Sequence, residues 1–226
     1  MLIVRLLFQT VMMLLVMAVL LFGAAGTMFW PAGWIFITEM GLSSLLISFW
    51  LLAKDPALLA ERLSPPVSRN QTGWDRLFML AALVAVCGWF AIMGWDAGRT
   101  HRGAVAPPFQ AVGAVLIGLC MTVCWLAFRF NTFAAPTVKV QAERGQHVIT
   151  KGPYRLVRHP MYAGAMLYFV GVPLLLGSWV GLMLSPVLVV GVAARAVAEE
   201  AVLRNALSGY GAYAAKVRYR LIPGVW

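Results

Sequence analysis

The chain has 226 residues, 62% of them hydrophobic and 12% charged, with a formal net charge of +10. A soluble domain carries about 25% charged residues, so this composition excludes an ordinary water-soluble fold. The basic residues gather in loops between long apolar runs, which ties the charge to membrane orientation and anionic lipid and argues against nucleic acid as a partner.

In chain order the apolar runs predict an all-α, polytopic membrane helix bundle of about six spans: Leu6–Ala25, Trp30–Ala53, Leu77–Trp95, Phe109–Phe130, Pro160–Leu176 and Trp179–Val197. A bilayer core of about 30 Å takes about 20 helical residues, and tilt absorbs the deviations. The first run, with Arg5 before it and Gly23-Ala24-Ala25 at its end, has the outline of a signal peptide. It exceeds the roughly 7–15 apolar residues of such a leader and another span follows at once, so it is predicted to be retained. Glu39 lies well inside the second span; an acid there is expensive, which makes it a candidate substrate contact, with Thr38 and Ser43 near enough to satisfy it locally. Cys87, Cys120 and Cys124 all fall in apolar runs with no histidine or acid beside them, so they are expected to be buried small hydrophobes and no metal site is expected. The short fifth run turns at Leu176-Gly177-Ser178 into the sixth, which predicts a tight helical hairpin with a kink at Pro186.

Six spans bring the loop with Lys54, Arg62, Arg69 and Arg76, the loop with Lys139, Arg144, Lys151, Arg155 and Arg158, and the tail with Arg204, Lys216, Arg218 and Arg220 to one side, together with Arg5. The positive-inside rule makes that side, and both termini, cytoplasmic, although Arg99 and Arg102 lie opposite. Trp30, Trp95 and Trp179 are expected at the far interface. Polar, aromatic and glycine residues are dense from Asn131 onward, which divides the chain into a four-span membrane region, 1–130, and a chemistry-bearing part, 131–226.

Three clusters stand out in that second part. Arg158-His159 precedes Pro160, which suits the first position of a helix, and the amides of that helix end favour a negative group; Tyr154 and Tyr162 bracket the point. Basic and aromatic residues also gather wherever helices leave a membrane, so an interfacial anchor is the competing reading. Arg195 and Glu199 are four apart, as in a simple helical ion pair, with Glu200 adjacent. The hairpin would return these acids to the side where His159 begins. In the tail, Tyr210 and Tyr213 can share a helical face, as can Lys216 and Arg220; this suits either a basic amphipathic segment on lipid or a pocket wall.

The run from Gly152 to Gly164, G-P-Y-R-L-V-R-H-P-M-Y-A-G, followed by Arg195 with Glu199-Glu200 and Leu203, then Tyr210, Tyr213 and the late Pro223, resembles the isoprenylcysteine carboxyl methyltransferase family. That family sits in a wider group with phospholipid and methanethiol methyltransferases. The likeness covers roughly 131–226, and K-D-P-A-L-L-A-E-R at Lys54–Arg62 with W-D-R at Trp74–Arg76 looks like its bacterial branch. The resemblance implies S-adenosyl-L-methionine as cofactor. It would be held by Gln146, His147, Val148, Ile149, Tyr154, Arg158, His159, Pro160, Met161 and Tyr162 and by Glu199 or Glu200, with Gln141 a looser match and Arg195 on the substrate. Arg158, His159 and helix-end amides would take the cofactor carboxylate, and either acid its amine or hydroxyls. Where the acceptor must lose a proton, His159 or a tyrosine would assist. The function implied is an integral inner-membrane methyltransferase acting on a carboxylate, thiol or amine of a lipid-like or small amphiphilic acceptor. The alternatives are a non-catalytic lipid-binding or scaffold relative with the same fold, and a transporter, which the absence of repeats disfavours.

Overall fold

The computed structural model describes residues 1–64, 73–100, 105–137 and 141–226. Its helices are α1 (Leu2–Ala25), α2 (Pro31–Lys54), α3 (Pro56–Arg62), α4 (Gly73–Met93, continued by a π-helical turn at Gly94–Thr100), α5 (Pro107–Phe130), α6 (Pro160–Leu176), α7 (Trp179–Ala206) and α8 (Tyr210–Lys216). Five of them, α1, α2, α4 with its π-helical turn, α5 and α7, are long and apolar enough to cross a membrane. The 17-residue α6 is shorter and lies between α5 and α7, so the all-helical bundle of about six spans is the observed architecture. Large apolar side chains point outward, among them Leu46 at 72% and Met183 at 76% exposure. That suits a surface solvated by hydrocarbon.

The boundaries depart from the apolar runs where helix and span are not the same thing. α7 continues through Glu199 and Glu200 to Ala206, well past Val197. The Lys54–Arg76 loop contains α3, whose first turn is capped by Asp55 accepting from the Leu58 amide at 2.9 Å. Trp95 and Trp179 are exposed as interface anchors should be, whereas Trp30 is buried edge-on against Phe22 in the main core. Arg69, Arg102 and Lys139 of the predicted charge pattern lie outside the described residues.

Two local devices position the α6–α7 hairpin. Gly177 adopts φ 83° at the end of α6, a conformation that disfavours side chains, and Ser178 caps α7. Ser178 Oγ accepts from the Gly181 amide at 2.9 Å and donates to Asp96 Oδ2 at 2.7 Å; that carboxylate also accepts from Val180 N at 3.2 Å. Asp96 is only 3% exposed, so an otherwise costly buried acid is met by one hydroxyl and one amide at a helix start. Pro173 lies inside α6 and Pro186 inside α7, each removing one ladder donor.

α5 and α6 meet backbone to backbone. A Cβ on Gly113 would stand 2.6 Å from the Gly171 carbonyl oxygen, and one on Gly171 would stand 2.8 Å from that of Gly113. Small residues are what permit such approach between membrane helices. Gly171→Val is therefore expected to destabilise the protein by about 1–3 kcal/mol, read as a lower unfolding midpoint in detergent; an unchanged midpoint would contradict this packing. The main core, Phe36, Trp89, Phe90, Met93, Ile117, Phe169 and their neighbours, lies on the far-side half of the bundle. A second cluster, Leu6, Leu51, Leu58, Leu59, Phe128 and Ala134, closes the other end beneath α3.

Candidate functional site

At that second end a cavity opens between the start of α6, the end of α7, α8 and the segments 131–137 and 146–154. It takes in about 900 Å³ of empty space, counting the part open to solvent. Gln146, His147, Val148, Ile149, Tyr154, Arg158, His159, Pro160, Met161, Tyr162 and Glu199 all border it. Glu200, Arg195 and Glu39 do not.

The walls are fixed from within. Gln141, fully buried, donates to the Phe133 carbonyl at 2.9 Å and through its own amide to Gln146 Oε1 at 2.7 Å, so it fastens the segment and does not border the cavity. Asn131 donates to the Tyr154 hydroxyl at 2.9 Å, and Tyr213 donates to the Tyr154 carbonyl at 2.8 Å. Val148 packs on Tyr210, Tyr213 and Val217. The tail is thus a wall of the cavity. α8 ends at Lys216, so Lys216 and Arg220 share no helical face; Arg220 turns inward to Glu200.

Burial pushes the Tyr213 hydroxyl up to about 12 and raises that of Tyr154 as well, which keeps both neutral in ordinary conditions. An unfolded tyrosine ionises near 10, so their contribution is intact below about pH 10 and is lost as pH rises toward the folded value. Unfolding midpoints of the wild type are expected to fall between about pH 10 and 12, and to fall less steeply in Tyr213→Phe. Parallel profiles for the two proteins would remove Tyr213 as the cause.

The two adjacent acids face different ways. Glu200, 2% exposed, is the hub of a buried ion cluster. Its Oε1 accepts from Arg158 Nε at 2.6 Å and lies 3.2 Å from His159 Nε2; its Oε2 lies 3.3 Å from both Arg158 Nη2 and Arg220 Nε. Arg158 Nη1 in turn donates to the Val217 and Arg218 carbonyls at 2.7 and 2.8 Å, while the amides of Arg158 and His159 donate to the Tyr219 and Arg220 carbonyls at 3.0 and 2.9 Å. The Arg158-His159-Pro160 motif therefore laces α6, α7 and the tail together. Every arm of the Arg158 guanidinium is engaged within the protein, which differs from its expected role on a cofactor carboxylate.

Glu199 faces the cavity. Its Oε2 accepts from the Tyr162 hydroxyl at 2.6 Å, and the residue is partly buried in the cavity wall. The Tyr162 ring stacks on His159 at 5.4 Å and 12°. Since Glu200 only accepts, His159 Nε2 carries the proton in the neutral ring and Nδ1 is the acceptor. The Met161 amide, at the first turn of α6, has no acceptor among the described residues. Tyr210 also borders the cavity; it is 4% exposed and its buried hydroxyl has no partner.

Arg195 does not pair with Glu199. It donates to Asp75 Oδ1 at 3.2 Å and to the Pro136 carbonyl at 2.7 Å, because the fully buried Asp75 of α4 is the stronger attractor. It thereby holds the segment that forms one wall. Glu39 sits within α2 facing Gly118 of α5, at 3.8 Å from where a Cβ on that glycine would stand. Sequence reasoning missed Asn131, Phe133, Thr137 and Leu203 as cavity walls; only their place within the polar-rich stretch pointed to them.

Fold and cavity define an all-helical membrane protein with a site of mixed polar and apolar lining at one end of its bundle. Residues 109–209 match the sequence model of the phospholipid methyltransferase family. That family belongs to the group which the motifs resemble, and methyl transfer in a membrane is the activity the group implies. The match starts inside α5 and ends just before Tyr210, so it takes in the α5–α7 unit and leaves out the tail. No curated protein matches the chain.

Proposed function

We propose that the protein is an integral membrane methyltransferase that uses S-adenosyl-L-methionine, acting like the isoprenylcysteine carboxyl methyltransferases on a carboxylate, thiol or amine of a lipid-like or small amphiphilic acceptor. The observation that carries this reading is the set of groups around one cavity that the described residues leave unspent: the second oxygen of the Glu199 carboxylate, the Met161 amide and the Tyr210 hydroxyl. An acid, an uncapped helix start and a hydroxyl match an ammonium or ribose hydroxyls, a carboxylate and a further polar group on one ligand. Val148 and Ile149 supply an apolar wall suited to a purine. Bound there, the cofactor would supply an electrophilic methyl group. The chain's own part is to orient both ligands and exclude water, with His159 Nδ1 available as a proton acceptor for a thiol or amine acceptor. Arg195 would act on the acceptor through the wall it holds. On this reading 1–130 serves as the membrane region and 131–226 carries the chemistry, with the cavity end and both termini in the cytoplasm of a bacterial cell.

Titration calorimetry of the full chain with S-adenosylhomocysteine, in detergent and in nanodiscs, is expected to give saturable binding. Labelled cofactor with a native membrane extract is expected to label a lipid or small amphiphile. Absence of binding in both environments would falsify the cofactor assignment; binding without any labelled product would favour the non-catalytic relative.

A further inference from the structure

A second groove lies at the same end of the bundle and shares no lining residue with the cavity. It is formed by the last turns of α2 and α5: Trp50 and Lys54 from one, Trp125, Phe128 and Arg129 from the other, with Asp55 beside them. Trp50 and Trp125 meet edge to face at 5.8 Å, and the Arg129 guanidinium lies 5.6 Å from the Trp125 ring. Both cations are exposed, and neither has an acidic partner among the described residues. Asp55 is committed elsewhere, its Oδ1 accepting from the Leu58 amide to start α3.

The indole groups make the groove more than a basic patch. Trp34 donates to the Met28 carbonyl and Trp89 to the Gly181 carbonyl. Trp50 and Trp125 donate to nothing in the described chain. Two indoles with unused N–H groups, an ammonium and a guanidinium thus border one groove against a single carboxylate, that of Asp55. Below it, toward the middle of the bundle, α2 exposes Leu46 and Phe49. The groove therefore sits where lipid-facing apolar surface gives way to charge, the depth of headgroups, and tryptophan donors at that depth meet phosphate and ester oxygens.

We propose that this groove binds the phosphodiester headgroup of an anionic phospholipid, its acyl chains lying along Leu46 and Phe49. The ligand is not the methyl acceptor, since the groove does not reach the cavity. An inorganic phosphate offers the same oxygens but leaves the apolar strip below uncovered, and a zwitterionic lipid brings its own cation to a site where two cations already outnumber the one carboxylate. The bound lipid bridges the ends of α2 and α5.

The test is native mass spectrometry of the full chain in detergent, titrated with phosphatidylglycerol, phosphatidylcholine or inorganic phosphate. The wild type is expected to retain phosphatidylglycerol over phosphatidylcholine. The double variant Lys54→Gln/Arg129→Gln is expected to bind it about thirtyfold more weakly, at about fivefold per cation. The charge-preserving Lys54→Arg/Arg129→Lys is expected to restore most of the binding. Equal affinity of the wild type and the glutamine variant for phosphatidylglycerol would overturn the proposal. So would equal retention of the two lipids, or displacement of phosphatidylglycerol by millimolar inorganic phosphate, which would assign the groove to a free anion.

Discussion

Glu200→Ala is expected to release the C-terminal tail and abolish ligand binding together. The variant leaves the Arg158 guanidinium buried without its carboxylate and removes the partner of His159 and Arg220. Breaking one side of a buried charge pair costs about 3–5 kcal/mol, because the remaining charge stays desolvated. That cost falls on the contacts that hold Val217, Arg218, Tyr219 and Arg220 against the start of α6. Trypsin should then cut at Lys216, Arg218 and Arg220 in the folded protein, where the wild type is expected to resist. Deleting residues 217–226 removes the same acceptors from the other side and should give the same loss of S-adenosylhomocysteine binding. Glu200→Gln keeps an acceptor for Arg158 but no charge, and should fall between. A Glu200→Ala protein with wild-type midpoint, protease resistance and binding would show that the tail is held by its apolar contacts alone.

The parts of this molecule that were legible in the sequence are those where a local pattern carries the information. Uninterrupted apolar length marks the spans, and Gly177-Ser178 marks the hairpin, because a left-handed residue and a cap are short-range requirements. The meeting of Arg158-His159 with the two acids followed from the hairpin alone. What stayed hidden depends on partners distant in sequence. Asp75 reaches Arg195 across 120 positions and Asp96 reaches Ser178 across 82, so a solitary acid in an apolar chain gives no sign of either. The apolar run marks the last span to Val197 but not where α7 ends, because its final turns carry buried charge and no apolar stripe. Nor does sequence say which of two neighbouring acids faces a cavity. They point about 100° apart on a helix, and only the packing of α8 and α6 decides which one is enclosed.

That division of labour makes the second large effect a test of function without a test of fold. Glu199→Gln keeps the shape of the side chain and an acceptor for the Tyr162 hydroxyl, so the thermal midpoint should barely move. It removes the accessible negative charge of the cavity. A hydrogen bond to a charged group is worth about 1.5–3 kcal/mol, so S-adenosylhomocysteine should bind about ten- to a hundredfold more weakly, with methyl transfer reduced at least as much. Tyr210→Phe separates ligand from fold more sharply. Its hydroxyl is buried and unpartnered in the protein alone, a cost of about 1–3 kcal/mol that phenylalanine escapes. The variant should therefore be at least as stable as the wild type without ligand, yet bind S-adenosylhomocysteine less well, so that ligand raises its midpoint by less. A wall residue with no role toward the ligand would leave that increment unchanged. Glu199→Gln binding as tightly as the wild type would move the positive end of the ligand away from this carboxylate and undo the proposed orientation.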